Sequence, residues 1–298
     1  MIGGMDEDRK DGSRSPSSMA AGRVVRNGRI RQALTRWCLH DLGEKWPMEK
    51  ICSTAVELGV PALEVVPPAE FPLLKKHGLA CALTTSHLFV RGMNNPLHWD
   101  ECLPLLAAGI DANAEAGFPN VVTFTGFADT TVPEFPGAPE GGVVTREQGI
   151  RNCVEGYKKI IGHAEKKNVT LCLEPLNTRD GADMKGHPGY QGDHLDFCLE
   201  VIDKVGSPAL KLLLDIYHVQ IMDGDLIRRI RSLQGKIGHV QIAGVPGRGE
   251  PDGSQEVNFP ALMRALLDIG YEGYVGLEFI PAGDARAALV EAVALLDV

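Results

Sequence analysis

Four short apolar runs in the second half of the chain each end on a side chain with an oxygen donor. Residues 169–173 lead to Glu174, 211–214 to Asp215, 238–240 to Gln241 and 274–277 to Glu278. Three carboxylates and one amide make a hard oxygen-donor set, suited to Mg²⁺ or Mn²⁺ rather than to a structural zinc. Taken singly, each is as readily a helix cap or a surface residue. Four of them, each on the last residue of an apolar run, point instead to one shared metal site, because clustered carboxylates repel unless a cation resolves the repulsion. His239 falls on the same face as Gln241, two residues earlier. It reads as a hydrogen-bonded core histidine, with a ligand role open if its strand ends sooner. His218, three residues past Asp215, is placed for a polar contact to substrate. Arg248, between Gly247 and Gly249, has the freedom to reach over a pocket mouth and grip a carboxylate with two parallel bonds. Asn177 and His87, each on a long loop after a strand, are further candidate substrate contacts, with His187 and Arg36 weaker ones.

Side chains so far apart in sequence meet only if the elements carrying them are parallel strands, whose carboxyl ends share one edge. The chain alternates in that way. Expected strands cover 33–39, 62–66, 79–84 and 120–125, and four more end at the donors. Expected helices cover 48–58, 69–76, 99–116, 145–167, 194–205, 225–233, 259–269 and 284–296. Thr145 stands three residues before Gln148, a capping-box spacing. Eight βα units in one run describe a single (β/α)₈ barrel, a TIM barrel, over residues 29–298. A doubly wound sheet is the alternative, but it would more often carry a Gly-rich phosphate turn after its first strand, and none is present. The longest loops follow the third, fourth, fifth and seventh strands, on the side of the four donors. Residues 1–28 are rich in Gly, Ser, Asp and Arg and read as a flexible arm. They have no apolar core of a secretory signal, so an extension or a trimmed leader fits them.

The 298 residues carry a net charge of −9, which counts against a nucleic-acid backbone as partner. A small anionic substrate remains compatible, since a local arginine or metal overrides the global field. The seven cysteines form no CxxC pair and lie largely in apolar or helical runs. They read as buried free thiols in a reducing, cytoplasmic compartment. No apolar run approaches the roughly 18 residues of a membrane span. Assembly as a homo-oligomer is left open.

Several stretches together resemble the hydroxypyruvate isomerase family. They are 171–177 (Leu-Cys-Leu-Glu-Pro-Leu-Asn), 187–191 (His-Pro-Gly-Tyr-Gln), 215–222 (Asp-Ile-Tyr-His-Val-Gln-Ile-Met), 238–241 (Gly-His-Val-Gln), 243–248 (Ala-Gly-Val-Pro-Gly-Arg) and 276–281 (Gly-Leu-Glu-Phe-Ile-Pro). The family is one of the xylose isomerase-like barrels, with ketose 3-epimerases and endonuclease-four-type enzymes as more distant relatives. The resemblance runs from about Asn27 to Val298. It implies that Glu174 and Glu278 are both an acid/base pair and metal ligands, that Asp215 and position 241 complete the metal shell, and that His218 and Arg248 contact substrate. Position 241 is often His in these proteins and is Gln here; an amide oxygen is an acceptable ligand. The segment 179–186 is longer than usual and borders the pocket. The implied reaction interconverts hydroxypyruvate and tartronate semialdehyde through an enediolate. Alternatives on the same site are a ketose 3-epimerase and an isomerase of a longer 2-oxo acid. A non-catalytic sugar-acid binder and an endonuclease are further removed.

Overall fold

Eight parallel strands close on themselves in sequence order: β1 (Arg31–Thr35), β2 (Ala62–Val66), β3 (Ala80–Thr84), β4 (Asn120–Thr123), β5 (Thr170–Leu173), β6 (Leu210–Asp215), β7 (Ile237–Ile242) and β8 (Tyr274–Leu277). The closing seam pairs β1 with β8, Leu34 opposite Leu277. The computed structural model describes residues 22–129 and 142–298. The helices wrapped around the barrel are α1 (Arg36–His40), α2 (Met48–Leu58), α3 (Phe71–Lys76), α4 (Trp99–Ala116), α5 (Arg146–Lys167), α6 (Leu195–Val205), α7 (Ile216–Met222), α8 (Leu226–Ser232), α9 (Phe259–Asp268) and α10 (Ala285–Leu296). The expected (β/α)₈ barrel is therefore the fold.

Local chemistry sets the ends of these elements. Gly59 takes a left-handed φ of 83° and its N–H returns to the last carbonyls of α2, which stops the helix. The capping box forms as spaced. Thr145 Oγ1 accepts from the Gln148 N–H, and Gln148 Oε1 accepts from the Thr145 N–H. The main apolar core lies between strands and helices, where the outward faces of β1, β5 and β6 (Leu34, Leu171, Leu212, Leu214) meet buried helix residues such as Ile51, Ile160 and Leu289. Inside the barrel, small residues Ala33, Ala62 and Ala82 fill one layer and Leu83, Val122, Cys172 and Leu213 another. All seven cysteines are buried and free.

Three expectations need correction. The first strand, expected over 33–39, ends at Thr35, and Arg36–His40 is a helical turn. An apolar run of that length carries no period that separates strand from helix. Residues 216–222, where the pattern places no helix, form α7, capped by the Asp215 carboxylate on the Tyr217 N–H. The arm expected over 1–28 is shorter on its inner side. Residues 1–21 lie outside the described residues, but Val24 and Val25 both donate to Leu58 O, and the Asp297 carboxylate accepts from the N–H groups of Asn27 (2.7 Å) and Gly28 (2.8 Å). Part of the Gly/Pro-rich loop after β4, residues 130–141, also lies outside the described residues. Among the described residues, no helix is long and apolar enough to cross a membrane.

Candidate active site

The strand ends bring Glu174, Asp215, Gln241 and Glu278 to the carboxyl-terminal mouth of the barrel, all buried. Glu174 and Glu278 stand one residue past β5 and β8, and each is anchored through its own N–H to a neighbouring strand, Glu174 to Thr123 O and Glu278 to Ile242 O. Tyr190 adds a hydroxyl bond to the Glu174 carbonyl at 2.7 Å. Glu278 Oε1 accepts from Trp37 Nε1, and its Oε2 accepts from Arg248 Nη2, both at 2.7 Å. Trp37 reaches the site because the chain turns into α1 after Thr35, a contact hidden when 33–39 is read as one strand.

Arg248 is the central cation. Its backbone φ is 57°, its guanidinium lies 5.2 Å from the Trp37 ring centre and 5.3 Å from that of Tyr217, and Nη2 stands 3.8 Å from Asp215 Oδ2. It also donates to the Met184 carbonyl, in the segment 179–186 that borders the pocket. The glycine-flanked arginine is thus folded into the site rather than waving over its mouth.

One guanidinium does not neutralise three buried carboxylates. Burial first, then Glu278 and Asp215, raises the Glu174 carboxyl well above the ordinary range. Burial and Glu278 push Asp215 up to about 7. Burial raises Glu278 as well, with Arg248 opposing. Two buried oxygens of this donor set have no hydrogen-bond partner, Asp215 Oδ2 and Gln241 Oε1. Buried polar atoms are rarely left so. Unsatisfied oxygens among crowded carboxylates are what a hard divalent cation needs, so this donor set fits the expected Mg²⁺ or Mn²⁺.

His218 requires a separate argument. Glu174, Asp215 and His218 each offer an atom within 4.8 Å of the others, which makes them a geometric trio for a metal. Yet His218 Nδ1 accepts the Asn177 backbone N–H at 3.1 Å, with the Asn177 amide at 2.7 Å. A backbone N–H only donates, so Nδ1 is bare and the proton of the neutral ring sits on Nε2. Burial, then Arg248, holds the ring neutral. A protonated Nε2 donates and does not ligate. It lies 3.4 Å from Asp215 Oδ2 without a hydrogen bond to it, which leaves a donor at the edge of the site.

Two expected substrate contacts move to other tasks. Asn177 is fully buried, and its side chain binds Lys185 O, His218 Nδ1 and the N–H groups of Arg179 and Asp180. It orients His218 and shapes the loop, with no free end for substrate. The His87 ring lines the cavity, but its nitrogens meet Leu88 O, Arg91 O and Thr123 Oγ1, so it serves as wall. His187, weaker on sequence, also lines the cavity, its ring 4.1 Å from Phe89 and its pKa lowered to about 4 by burial and Arg248. His239 is a core histidine as read, its Nε2 bound to Glu64 inside the barrel. The sequence alone does not mark Glu64. A lone carboxylate within Ala-Leu-Glu-Val-Val was the available signal.

The cavity holds about 340 Å³. Glu174, Gln241, Arg248 and Glu278 come to it from the β5–β8 side, while Val65, Leu83, Val122 and Phe124 supply an apolar wall from β2–β4. Val65 has a φ of 52° between register shifts in the β2–β3 pair. A β-branched residue held there stores on the order of 1–3 kcal/mol.

Residues 53–297 match the xylose isomerase-like TIM barrel family. The chain belongs to that family. Among its relatives, the hydroxypyruvate isomerase of Escherichia coli is 36% identical over 143 residues, 48% of this chain and 53% of that one. The 2-oxo-tetronate isomerase of Cupriavidus necator is 39% identical over 126 residues, 42% of this chain and 46% of that one. The matched region spans about half the length of these curated relatives. A crystal structure described as an AP endonuclease, family 2, from Brucella melitensis superposes with a TM-score of 0.71 at 26% identity, covering 87% of this chain and 96% of the other. The similar proteins thus bear names from 2-oxo acid isomerisation and from nuclease chemistry, and the site has to decide between them.

Proposed function

We propose that the protein is a metal-dependent isomerase of short 2-oxo acids bearing a neighbouring hydroxyl, with hydroxypyruvate and tartronate semialdehyde as the first pair to examine. The observation that carries this reading is the pairing of Glu174 and Glu278. They come from strands three apart and line one cavity, so each can stand near one of two neighbouring carbons of a bound substrate and take or return a proton there. In the forward direction a proton leaves the carbon bearing the hydroxyl and another is delivered to the former carbonyl carbon, while the hydroxyl proton passes to the old carbonyl oxygen. One glutamate removes the carbon-bound proton and one returns it, through an enediolate. Glu174, Asp215, Gln241 and Glu278 would hold Mg²⁺ or Mn²⁺, which supplies Lewis-acid polarisation of the substrate oxygens. His218 Nε2–H donates to a substrate oxygen, and Arg248 binds the carboxylate.

A second reading, an isomerase of a four-carbon 2-oxo acid, is supported by the cavity volume and by the 2-oxo-tetronate isomerase relative. A ketose 3-epimerase would use the same two glutamates but has less need of Arg248. A nuclease would need a basic face and a richer histidine cluster. The net charge of −9 weighs against the first, and among the described residues the candidate metal group has one histidine. With seven buried free thiols, we place the protein in the cytoplasm. The test is steady-state kinetics of chelator-stripped protein resupplied with Mg²⁺ or Mn²⁺, on hydroxypyruvate, 2-oxo-tetronate and a neutral ketose. Metal-dependent turnover of the acids above the ketose is expected. Turnover of the ketose alone would move the enzyme to the epimerases, and no turnover of any would remove the isomerase reading.

A further inference from the structure

Beneath the donor set lies a buried acid that the proposed reaction does not use. Glu64 on β2 is wholly inaccessible. Its Oε1 accepts from the Thr35 hydroxyl and from Gln241 Nε2 at 3.1 Å, and its Oε2 is bound to His239 Nε2. Two features of the fold make its placement possible. The β2–β3 pairing shifts register on both sides of Glu64, where Val65 takes its positive φ, so the strand bends at this point. Gly276 on β8 leaves the carboxylate its room, because a Cβ there would lie 1.9 Å from Glu64 Oε2.

The consequence falls on Gln241. The oxygen and NH₂ of an amide are nearly the same shape, so packing alone does not choose which way it faces. A carboxylate accepts and does not donate. Glu64 therefore takes the NH₂ end, and Gln241 Oε1 is left on the other side, buried and without a partner. In the reversed orientation the amide oxygen would abut the Glu64 carboxylate and the NH₂ would face the cation, two repulsive contacts at once. His239 holds the far oxygen of Glu64 and so fixes the near one. We propose that Glu64 is a positioning residue, which locks the Gln241 amide so that its oxygen is presented to the metal. This rests on the metal-dependent reading above.

The test is Mn²⁺ titration of the full chain after chelator treatment, read by the paramagnetic resonance of free Mn²⁺, with a thermal melt to establish folding. Glu64→Gln lets position 64 offer either end of an amide and frees Gln241 to turn. Its Mn²⁺ affinity should fall about 10–100-fold, the range for a lost outer-shell partner. The exchange Glu64→Gln/Gln241→Glu keeps the total charge and the hydrogen bond, and the carboxylate it creates has no wrong orientation. It should bind Mn²⁺ at least as well as wild type. A purely structural acid would shift the melt without this pattern of loss and rescue. The proposal is overturned if folded Glu64→Gln binds like wild type, or if the exchange is as weak as the single variant. Should Glu64→Gln not fold, the exchange decides alone, since wild-type affinity supports the proposal and weak binding overturns it. Absence of Mn²⁺ binding by the wild-type chain would remove the metal reading itself, and this inference with it.

Discussion

Two groups of acids are buried in the barrel, and they differ in what they still lack. Glu64 sits among donors from Thr35, Gln241 and His239, and both its oxygens are used. Above it, Glu174, Asp215 and Glu278 share one arginine, have raised carboxyl pKa values and leave Asp215 Oδ2 unpartnered. Burial is common to both, so burial does not identify the reactive group. The crowding of like charge does, because unpartnered buried atoms alone also occur at Gln32 Oε1, Asn94 Oδ1 and His239 Nδ1. Gln241 belongs to both, with its NH₂ in the satisfied group and its oxygen in the other.

The strongest way to break the comparison is to remove a proton carrier while keeping its shape. Glu278→Gln keeps one oxygen, as ligand and as acceptor for Trp37, but loses the acceptor for Arg248, and should still bind metal while turnover falls by at least about 10²–10⁴-fold. Near-wild-type turnover would end the two-glutamate mechanism. Arg248→Ala comes next. It removes the proposed partner of a substrate carboxylate and also, among the described residues, the charged partner of Glu278 Oε2. We expect about a 10–100-fold loss in kcat/KM on hydroxypyruvate, the worth of charge-assisted bonds, and a smaller loss on a neutral ketose. Equal losses on both would leave Arg248 as a partner of Glu278 alone.

The pH dependence sharpens the contrast further. A carboxyl whose folded pKa is raised binds more protons in the folded than in the unfolded state, so its folded form loses stability as pH rises from the ordinary value towards the raised one. For Asp215 that window runs from 3.8 to about 7, and Glu174 and Glu278 act in the same direction. The metal-free protein should therefore melt lower at pH 8 than at pH 5, and Mn²⁺ should raise the melting temperature more at pH 8, where no protons compete for the site. A larger metal effect at pH 5 would contradict the crowding of charge. The smallest effect is expected at Asn177→Ala, which removes the amide beside His218 but keeps the backbone donor. About a tenfold loss in kcat/KM should follow, since the backbone donor still fixes the His218 tautomer, together with a lower melting temperature from the lost bonds to Lys185 O and to the Arg179 and Asp180 N–H groups. A loss matching that of Glu278→Gln would assign Asn177 a direct part in the chemistry.

Much of this was legible beforehand, and the exceptions have physical reasons. Strand-end donors are visible because parallel strands terminate together, which makes Glu174, Asp215, Gln241 and Glu278 stand out within one residue of their strand ends. Helices α2 and α4 were bounded correctly because Gly59 and Gly117 stop them. Trp37 was hidden by an apolar run that fits strand and helix alike. Glu64 and the role of Asn177 were hidden because each depends on partners far away in sequence, His239 for one and His218 for the other. Such partners are fixed by barrel closure and not by local pattern.

The most direct test of the central claim is the stoichiometry of Mn²⁺ binding by the chelator-stripped protein, wild type against Asp215→Asn, measured calorimetrically at pH 8. Asp215 is chosen because its Oδ2 is unpartnered while its Oδ1 caps α7, a contact the amide oxygen of Asn can keep. One tightly bound ion per wild-type chain, with its affinity largely lost in Asp215→Asn, is the predicted result. Binding unchanged by the substitution, or no bound ion in the wild type, would contradict the account.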